Sequence, residues 1–262
     1  NPRTRKDGTR EINKAQPEHI RQRTFENYAK AHGIPTKDPK STGIIGYDSK
    51  KFFQPSIYVV SLQGVEGSHP SNSGRLDQFI TEWEAVCGEK PNIEVCPGVV
   101  DKRRGYGCTK ALTNCLQMAI DRGDDYPLFF EDDARLTNKT LCHRLDWSTI
   151  PQDTFLMMLG GHGIKYLDNE QPYSKLKTSY GTYGFMVPKR NLKQLLEGWN
   201  SDYQKDVTML SPDVSWYEHA ERASKSIYLV SPRLILHSAG FSNTWYKFRE
   251  NDRAKIMEIR EK

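Results

Sequence analysis

From residue 56 onward, short apolar runs alternate with segments of helical periodicity. The runs at 56–62, 92–100 and 127–136 are rich in β-branched and aromatic residues, as expected of buried strands. Between them, residues 74–88 and 106–123 carry apolar side chains at helical spacing and end at a glycine. This β-α-β-α-β order predicts an α/β fold with a mostly parallel central sheet and helices on its faces.

The second half of the chain continues the alternation. Strands are predicted at 154–160 and 180–187, with a polar loop between them at 161–178. A helix is predicted over 188–199, followed by an acid-containing turn at 211–223, where Asp213 lies at the start of a helix. The remaining apolar runs predict two more strands, at 226–230 and 233–237.

Residues 1–50 have a different, more polar character. Their apolar positions Ile20 and Phe25 precede Gly33 and predict one short amphipathic helix. We therefore expect a basic N-terminal extension with one helix over 1–50, followed by a single domain over 51–262.

The charge distribution separates the same two parts. Residues 1–50 hold 11 of the 38 basic and 6 of the 33 acidic side chains, which leaves 27 of each for residues 51–262. A neutral main domain argues against a dedicated nucleic-acid-binding protein, in which Lys and Arg concentrate on the domain that docks. No apolar run approaches the ~18 residues that a membrane-spanning helix needs.

The cysteines and the chain start bear on the cellular compartment. None of the five cysteines forms a CxxC pair, so a zinc ribbon or a thioredoxin-type site is disfavoured. Free buried thiols are expected, with one or two disulfides as the alternative.

Because the first residue is Asn1 rather than Met, we expect a processed chain. A removed targeting or anchor segment and peripheral contact with a membrane are both compatible with this expectation. The compartment stays open: the ER or Golgi lumen for a eukaryotic chain with a removed anchor, and otherwise the cytoplasm.

The strongest chemical signal is the run Phe129-Phe130-Glu131-Asp132-Asp133. Its three carboxylates stand at the carboxyl end of a buried strand, where open α/β sheets bind ligands. Glu131 and Asp133 have the same side-chain parity on an extended backbone, so both can reach one cation. Mg²⁺ and Mn²⁺ prefer oxygen ligands and often keep phosphate oxygens in their shell. The run therefore predicts a site for a metal and a diphosphate, with a solvated turn or a helix-capping role as the alternative.

Two further residues are candidates for the same site. His237 ends a predicted strand beside a glycine turn, and its imidazole would complete a Mn²⁺ shell; a packed or solvent-facing histidine is the alternative. Asp213 follows Ser211-Pro212 and is a candidate general base for an acceptor hydroxyl, with helix capping as the alternative.

A basic segment precedes the second predicted helix. Lys102, Arg103 and Arg104 come just before Gly107 and the helix N-terminus, so they are candidates for phosphate contact, with a solvated basic loop as the alternative. The motifs GxxxxGK[ST], GxGxxG after a strand, HExxH and GxSxG are all absent from the sequence. Their absence disfavours kinase, dinucleotide oxidoreductase, zinc protease and α/β-hydrolase functions.

Six pieces in order, over about residues 55–245, resemble glycosyltransferase family 25, which includes bacterial lipooligosaccharide galactosyltransferases and collagen galactosyltransferases. The pieces are the strand YVVSL, the helix from Gly107-Cys108, the segments LFFEDDA, TFLMMLGG and GTYGFMVPKRNLKQLL, and the end from Pro212-Asp213 through YLVSPRLILHSAGFSNTW.

The resemblance implies a GT-A fold, in which one Rossmann-like domain binds the nucleotide sugar. It also implies a UDP-sugar donor (UDP-galactose in the best-known members), a divalent metal such as Mn²⁺ or Mg²⁺, and a hexosyltransferase that inverts the sugar carbon. The acceptor would be a hydroxyl of a glycan or glycoprotein. By position, Glu131 and Asp133 would hold the metal and the donor with Asp132 nearby, and Asp213 would be the base.

Two segments depart from the family pattern. The family's Ser-His pair falls on Ala111-Leu112, and its arginine-rich turn is replaced by QGVEGSHPSNSG followed by Arg75. In the family, both regions normally help to bind the donor. Arg75 is therefore a candidate donor-binding residue, and the departures leave the identity of the sugar and of the nucleotide undetermined. The alternative function is a catalytically degenerate nucleotide-sugar or glycan-binding module of the same fold. A metal-dependent phosphoesterase or nucleotidyltransferase is a further alternative, which normally needs more clustered metal ligands.

Overall fold

The computed structural model describes residues 55–87, 90–136, 149–169, 172–207, 209–230, 233–237, 240–242 and 247–249. The expected helix and basic extension over 1–50 lie outside the described residues.

The described part of the chain contains helices, strands and one short 3₁₀ helix at Pro70–Asn72. The helices are α1 (Arg75–Cys87), α2 (Tyr106–Arg122), α3 (Lys189–Tyr203) and α4 (Pro212–Arg222). The strands are β1 (Ile57–Ser61), β2 (Ile93–Pro97), β3 (Leu128–Glu131), β4 (Ala134–Leu136), β5 (Thr154–Met158), β6 (His162–Tyr166), β7 (Tyr173–Tyr180), β8 (Gly184–Met186), β9 (Ser226–Val230), β10 (Ile235–His237), β11 (Gly240–Ser242) and β12 (Lys247–Arg249). No helix within the described ranges has both the length and the apolar character needed to cross a bilayer.

Within the described residues, eight strands form one sheet in the order β2-β1-β3-β8-β5-β9-β7-β6. β1 pairs in parallel with β2 and β3, and β5 pairs in parallel with β9. β8 lies antiparallel between β3 and β5, while β7 runs antiparallel to β9 and forms a hairpin with β6. The α/β fold is confirmed, but the sheet is mixed rather than mostly parallel. The connection between β6 and β7 is too short for the crossover that a parallel neighbour requires, so these two strands form an antiparallel hairpin.

The central sheet is apolar on both faces, which explains the strong strand pattern of the sequence. Successive side chains of a strand point to opposite faces. Val59 belongs to a core cluster that contains Phe79 and Trp83 of α1. Tyr58 belongs to a second cluster, which contains Leu112 of α2 together with residues of α3 and α4. Helices therefore cover both faces, and the strands read as continuous hydrophobic runs.

Three predicted elements differ from the structure. The segment 161–178, predicted as a loop, contains β6 and most of β7; β6 is mostly exposed, so it lacks the apolar signal of a buried strand. The predicted strand at 127–136 is broken into β3 and β4 by a turn at the acids, and the predicted strand at 180–187 is broken between β7 and β8. The segment 211–223 forms α4, so the helix predicted to start near Asp213 is confirmed.

The cysteines are paired in part. Cys96 of β2 and Cys115 of α2 form a disulfide with a Cα–Cα distance of 6.0 Å, so the free-thiol expectation is wrong for this pair. Cys108 is free and half-buried. The bond ties an edge strand of the sheet to the helix that packs on it. Cys142 and the side chain of Cys87 lie outside the described part of the structure.

A buried polar contact joins α3 to α4. His219 Nε2 lies 2.8 Å from Asp202 Oδ2, and both side chains are only 4% exposed. Lys205 Nζ lies 2.6 Å from the other oxygen of Asp202. Burial alone would raise the pKa of Asp202, but hydrogen bonds from Lys205 and His219 outweigh it and hold this pKa below its ordinary value. This contact fixes the helix whose first turn carries Asp213.

Replacing the buried acid should test this contact. We expect Asp202→Ala to lower the free energy of unfolding at pH 7 by roughly 1–3 kcal/mol, because His219 loses its buried partner. Urea denaturation measures the change. Because the folded-state pKa of Asp202 is lowered, its contribution is present above the ordinary pKa and is lost as the pH falls through the folded-state pKa. The deficit of the variant should therefore shrink in strong acid.

The matched control lies on the exposed side of α4. Glu218→Ala removes a contact with Arg222 of 3.5 Å, and both side chains are more than half exposed. It should cost less than about 0.5 kcal/mol. Equal losses in the two variants would contradict a special role for the buried contact.

Candidate active site

A cleft of about 390 Å³ opens at the edge of the sheet where β1 and β3 end. Three of the described helices begin beside it, since Arg75, Gly107 and Asp213 line the cleft from the first turns of α1, α2 and α4. Helix N-termini carry partial positive charge and favour anionic ligands. The cleft therefore lies at the strand ends where the sequence predicted a site.

β1 and β3 end at the same height in the sheet because of their pairing register, and contacts of Asp132 stabilise this alignment. Val60 pairs with Glu131, and the next backbone N–H, that of Asp132, donates to the Val60 carbonyl at 3.0 Å. The hydroxyl of Ser61 donates to the Asp132 carboxylate at 2.6 Å. Burial raises the pKa of Asp132 to about 6, although the bond from Ser61 opposes this shift. Asp132 thus supports the turn between the two neighbouring acids.

Glu131 and Asp133 line the same cleft on either side of this buried residue. The Glu131 carboxylate accepts a hydrogen bond from the hydroxyl of Thr182. Asp133 Oδ2 lies 3.6 Å from Arg75 Nη1, in an ion pair whose side chains are 14% and 11% exposed. Arg75, a predicted donor-binding residue, therefore contacts one of the predicted metal ligands.

These carboxylates suit a hard divalent cation in the chemistry of their oxygens. Among the described residues, no three or more His, Cys, Asp or Glu side chains are grouped so that they could hold an ion. Mg²⁺ is commonly bound by one or two carboxylates, with substrate phosphates and water as its other ligands. Glu131 and Asp133 fit that smaller set.

His237, the third predicted metal ligand, lies close to the acids along the backbone. The pairing of β10 with β4 places His237 opposite Ala134, which directly follows Asp133. The position of its side chain lies outside what the structure describes. Its role as a ligand stays a prediction.

Asp213 lines the cleft from the first turn of α4. The backbone N–H of Gly181 donates to its Oδ2 at 2.8 Å. Gly181 has a φ of +107°, and a Cβ there would lie 2.2 Å from the ring of Tyr183, so this position requires glycine. The structure thus brings the predicted base into one cleft with Glu131 and Asp133.

The basic segment reaches the cleft only in part. Arg103 lines it, where its guanidinium lies 2.8 Å from Asp101 and 3.9 Å above the ring centre of Tyr106. Lys102 and Arg104 are exposed and do not line the cleft. The structure therefore does not bring these two predicted donor-binding residues to the site.

Gly107, the remaining predicted donor-binding residue, has a clear steric role. A Cβ at this position would lie 2.1 Å from the carbonyl oxygen of Val99. Only glycine lets the first turn of α2 approach the segment after β2 so closely. The close approach brings the N-terminus of α2 to the cleft wall.

The cleft also contains residues that sequence reasoning missed. Thr182 and Cys108 both contact the Glu131 carboxylate, and His162 and Tyr180 also line the cleft. Desolvation and the charge of Glu131 raise the pKa of the Cys108 thiol, which keeps it protonated at neutral pH. A signal was present in Gly-Thr-Tyr-Gly, because two glycines within a predicted strand mark a break. That break is where Thr182 enters the cleft.

No protein-family model and no curated protein matches the sequence. Similar solved structures include a glycosyltransferase involved in the glycosylation of the major capsid of PBCV-1, with 14% identity, 79% of this chain and 99% of that chain covered, and a TM-score of 0.47. A nucleoside-diphosphate-sugar pyrophosphorylase from Vibrio cholerae is 10% identical, with 69% of this chain and 94% of that chain covered and a TM-score of 0.43. A mannose-1-phosphate geranyltransferase from Thermus thermophilus is 9% identical, with 69% of this chain and 75% of that chain covered and a TM-score of 0.41.

Proposed function

We propose that this protein is a metal-dependent glycosyltransferase that moves a sugar from a nucleotide-sugar donor to a hydroxyl of a glycan or glycoprotein. The observation that carries the proposal is the convergence of two strand-end acids, Glu131 and Asp133, with the helix-end acid Asp213 in one cleft. The strand-end acids suit the diphosphate side of the donor. Asp213 comes from a different element and suits the acceptor side.

The charge of the cleft supports the need for a cation. Among the described residues that line it, five are acidic and two are basic. Both basic residues are engaged by acids of the same cleft, Arg75 by Asp133 and Arg103 by Asp101. A diphosphate adds more negative charge, which such a site repels unless a cation offsets it. We assign Mn²⁺ or Mg²⁺ to Glu131 and Asp133, with His237 as a further ligand.

The proposed reaction is a direct displacement with inversion at the anomeric carbon. Asp213 takes the proton of the acceptor hydroxyl while its oxygen forms the new bond to the anomeric carbon. The bond from that carbon to the diphosphate oxygen breaks, and the nucleoside diphosphate leaves with the electron pair, through an oxocarbenium-like transition state. A cation held at the acids would supply the positive charge that stabilises the departing diphosphate.

UDP-galactose is the first donor to test, because the resemblance to family 25 implies it. The departures at Ala111-Leu112 and in the loop before Arg75 make a panel of nucleotide sugars the fuller screen. With Mn²⁺ present, donor hydrolysis scores turnover and thermal shift scores binding. Binding without hydrolysis or transfer would favour the degenerate binding module instead.

Removing the charge of Asp133 tests the metal assignment. We expect Asp133→Asn to abolish Mn²⁺-dependent donor binding and to lower turnover by about 100-fold or more, because the cation loses a ligand. Calorimetric titration of donor with and without Mn²⁺ measures the first effect. Asp125→Asn is the control, since Asp125 is half exposed and pairs with Lys189 away from the cleft. Near wild-type Mn²⁺-dependent turnover in the Asp133 variant would rule out the assignment.

Asp213→Asn separates the base from the donor site. We expect the variant to bind donor and Mn²⁺ with wild-type affinity while kcat for transfer falls about 100-fold to 10,000-fold, the range of general-base catalysis. Steady-state kinetics and donor titration on the same preparation distinguish the two. An unchanged kcat would move the base to another residue.

A further inference from the structure

One short segment contacts both halves of the proposed site. The bridging segment Gly181–Tyr183 joins β7 to β8. Its first residue donates a backbone N–H to Asp213 at 2.8 Å, and its second donates a hydroxyl to the Glu131 carboxylate. Its third accepts the backbone N–H of Glu131 at 3.3 Å. Three consecutive residues thus hold the candidate base and a candidate metal ligand.

We propose that the bridging segment positions both carboxylates, with Thr182 as the positioning residue for Glu131 and the Gly181 N–H as the positioning group for Asp213. This inference rests on the proposed function. The segment would set the spacing between the diphosphate side and the acceptor side of the cleft. Such spacing matters because displacement requires the acceptor oxygen and the anomeric carbon in near-attack geometry.

The surroundings of the bridging segment make it rigid enough for this role. Thr182 and Tyr183 are buried, with 7% and 5% of their surface exposed. The strand that follows lies in the middle of the sheet, between β3 and β5, so the segment cannot move independently of β3. The Tyr183 ring fills the space where a Cβ of Gly181 would lie. The ring of His162 stacks on Tyr183 with centroids 6.3 Å apart and an interplanar angle of 11°.

The hydroxyl of Thr182 is the contact that can be tested most cleanly. A hydrogen bond to an ionised carboxylate is stronger than one between neutral groups, and burial strengthens it further. Partners that orient metal ligands in this way typically matter about 10-fold to 100-fold for metal affinity or activity. Valine has nearly the shape of threonine, so Thr182→Val removes the donor and keeps the packing. Thr182→Ser keeps the donor.

The experiment compares Thr182→Val and Thr182→Ser with the wild type in the full chain. The readouts are Mn²⁺ affinity without donor, by electron paramagnetic resonance, together with KM and kcat for UDP-galactose turnover and the urea midpoint. We expect Thr182→Val to lose about 10-fold to 100-fold in Mn²⁺ affinity or kcat. Thr182→Ser should recover most of that loss, and the urea midpoints verify that both variants are folded under the assay conditions. Wild-type metal affinity and kcat in Thr182→Val would overturn the inference, as would a Ser variant as impaired as the Val variant.

The second arm tests the Gly181 contact. Gly181→Ala should lower kcat while donor affinity is kept, because a Cβ at φ +107° displaces the N–H that holds Asp213. Gly123→Ala is the control for backbone strain alone, since Gly123 has a φ of +75° at the end of α2 and does not line the cleft. It should lower the urea midpoint and leave kcat unchanged. An equal effect of both variants on kcat would overturn the role of Gly181.

These outcomes separate the inference from the proposed function. If the wild type shows no Mn²⁺-dependent donor binding or turnover, the proposed function fails and the positioning role fails with it. If the wild type is active and Asp133→Asn and Asp213→Asn behave as expected, wild-type behaviour of the Thr182 and Gly181 variants overturns only the positioning role.

Discussion

The geometry of the cleft depends on the parallel register between β1 and β3, which ends both strands at the same level. Val60 pairs with Glu131, and the chain turns at the next residue. There the N–H of Asp132 donates to the Val60 carbonyl, and its carboxylate accepts from the hydroxyl of Ser61. Burying this acid has an electrostatic cost, visible in its raised pKa. The two flanking acids, Glu131 and Asp133, therefore lie at the edge of the sheet and line the cleft, where a ligand can reach them.

The same edge of the sheet brings opposite charges together. Carboxylates gather there because β3 ends in acids, and helix N-termini gather there because α1, α2 and α4 all begin beside the cleft. The partial positive charge of helix ends is modest and falls off within one turn, so it does not neutralise an excess of full negative charges. The excess of acids favours a ligand that arrives with a cation, which is how the proposed donor and metal fit one another.

The sequence predicted β1, α1 and α2 to within about a residue or two, because each is a buried element whose apolar residues repeat with a clear period. It missed the β6–β7 hairpin, because β6 lies exposed at the edge of the sheet and has little apolar signal. It predicted β3 and β4 as one strand, because the turn at Asp132 is stabilised by contacts with the neighbouring strand and with Ser61 rather than by local turn residues. The disulfide between Cys96 and Cys115 was likewise a matter of distance in space, which cysteine spacing alone does not define.

The sequence by itself determined that buried strands alternate with amphipathic helices, that three acids end a strand and that Asp213 starts a helix, because these properties are local in the chain. Only the tertiary structure decided which of these groups meet. It brought Asp213 within reach of the acids through Gly181 and Thr182, and it left Lys102 and Arg104 outside the cleft. The physical reason is that strand pairing and helix packing connect residues distant in sequence, and neither composition nor periodicity encodes those distances.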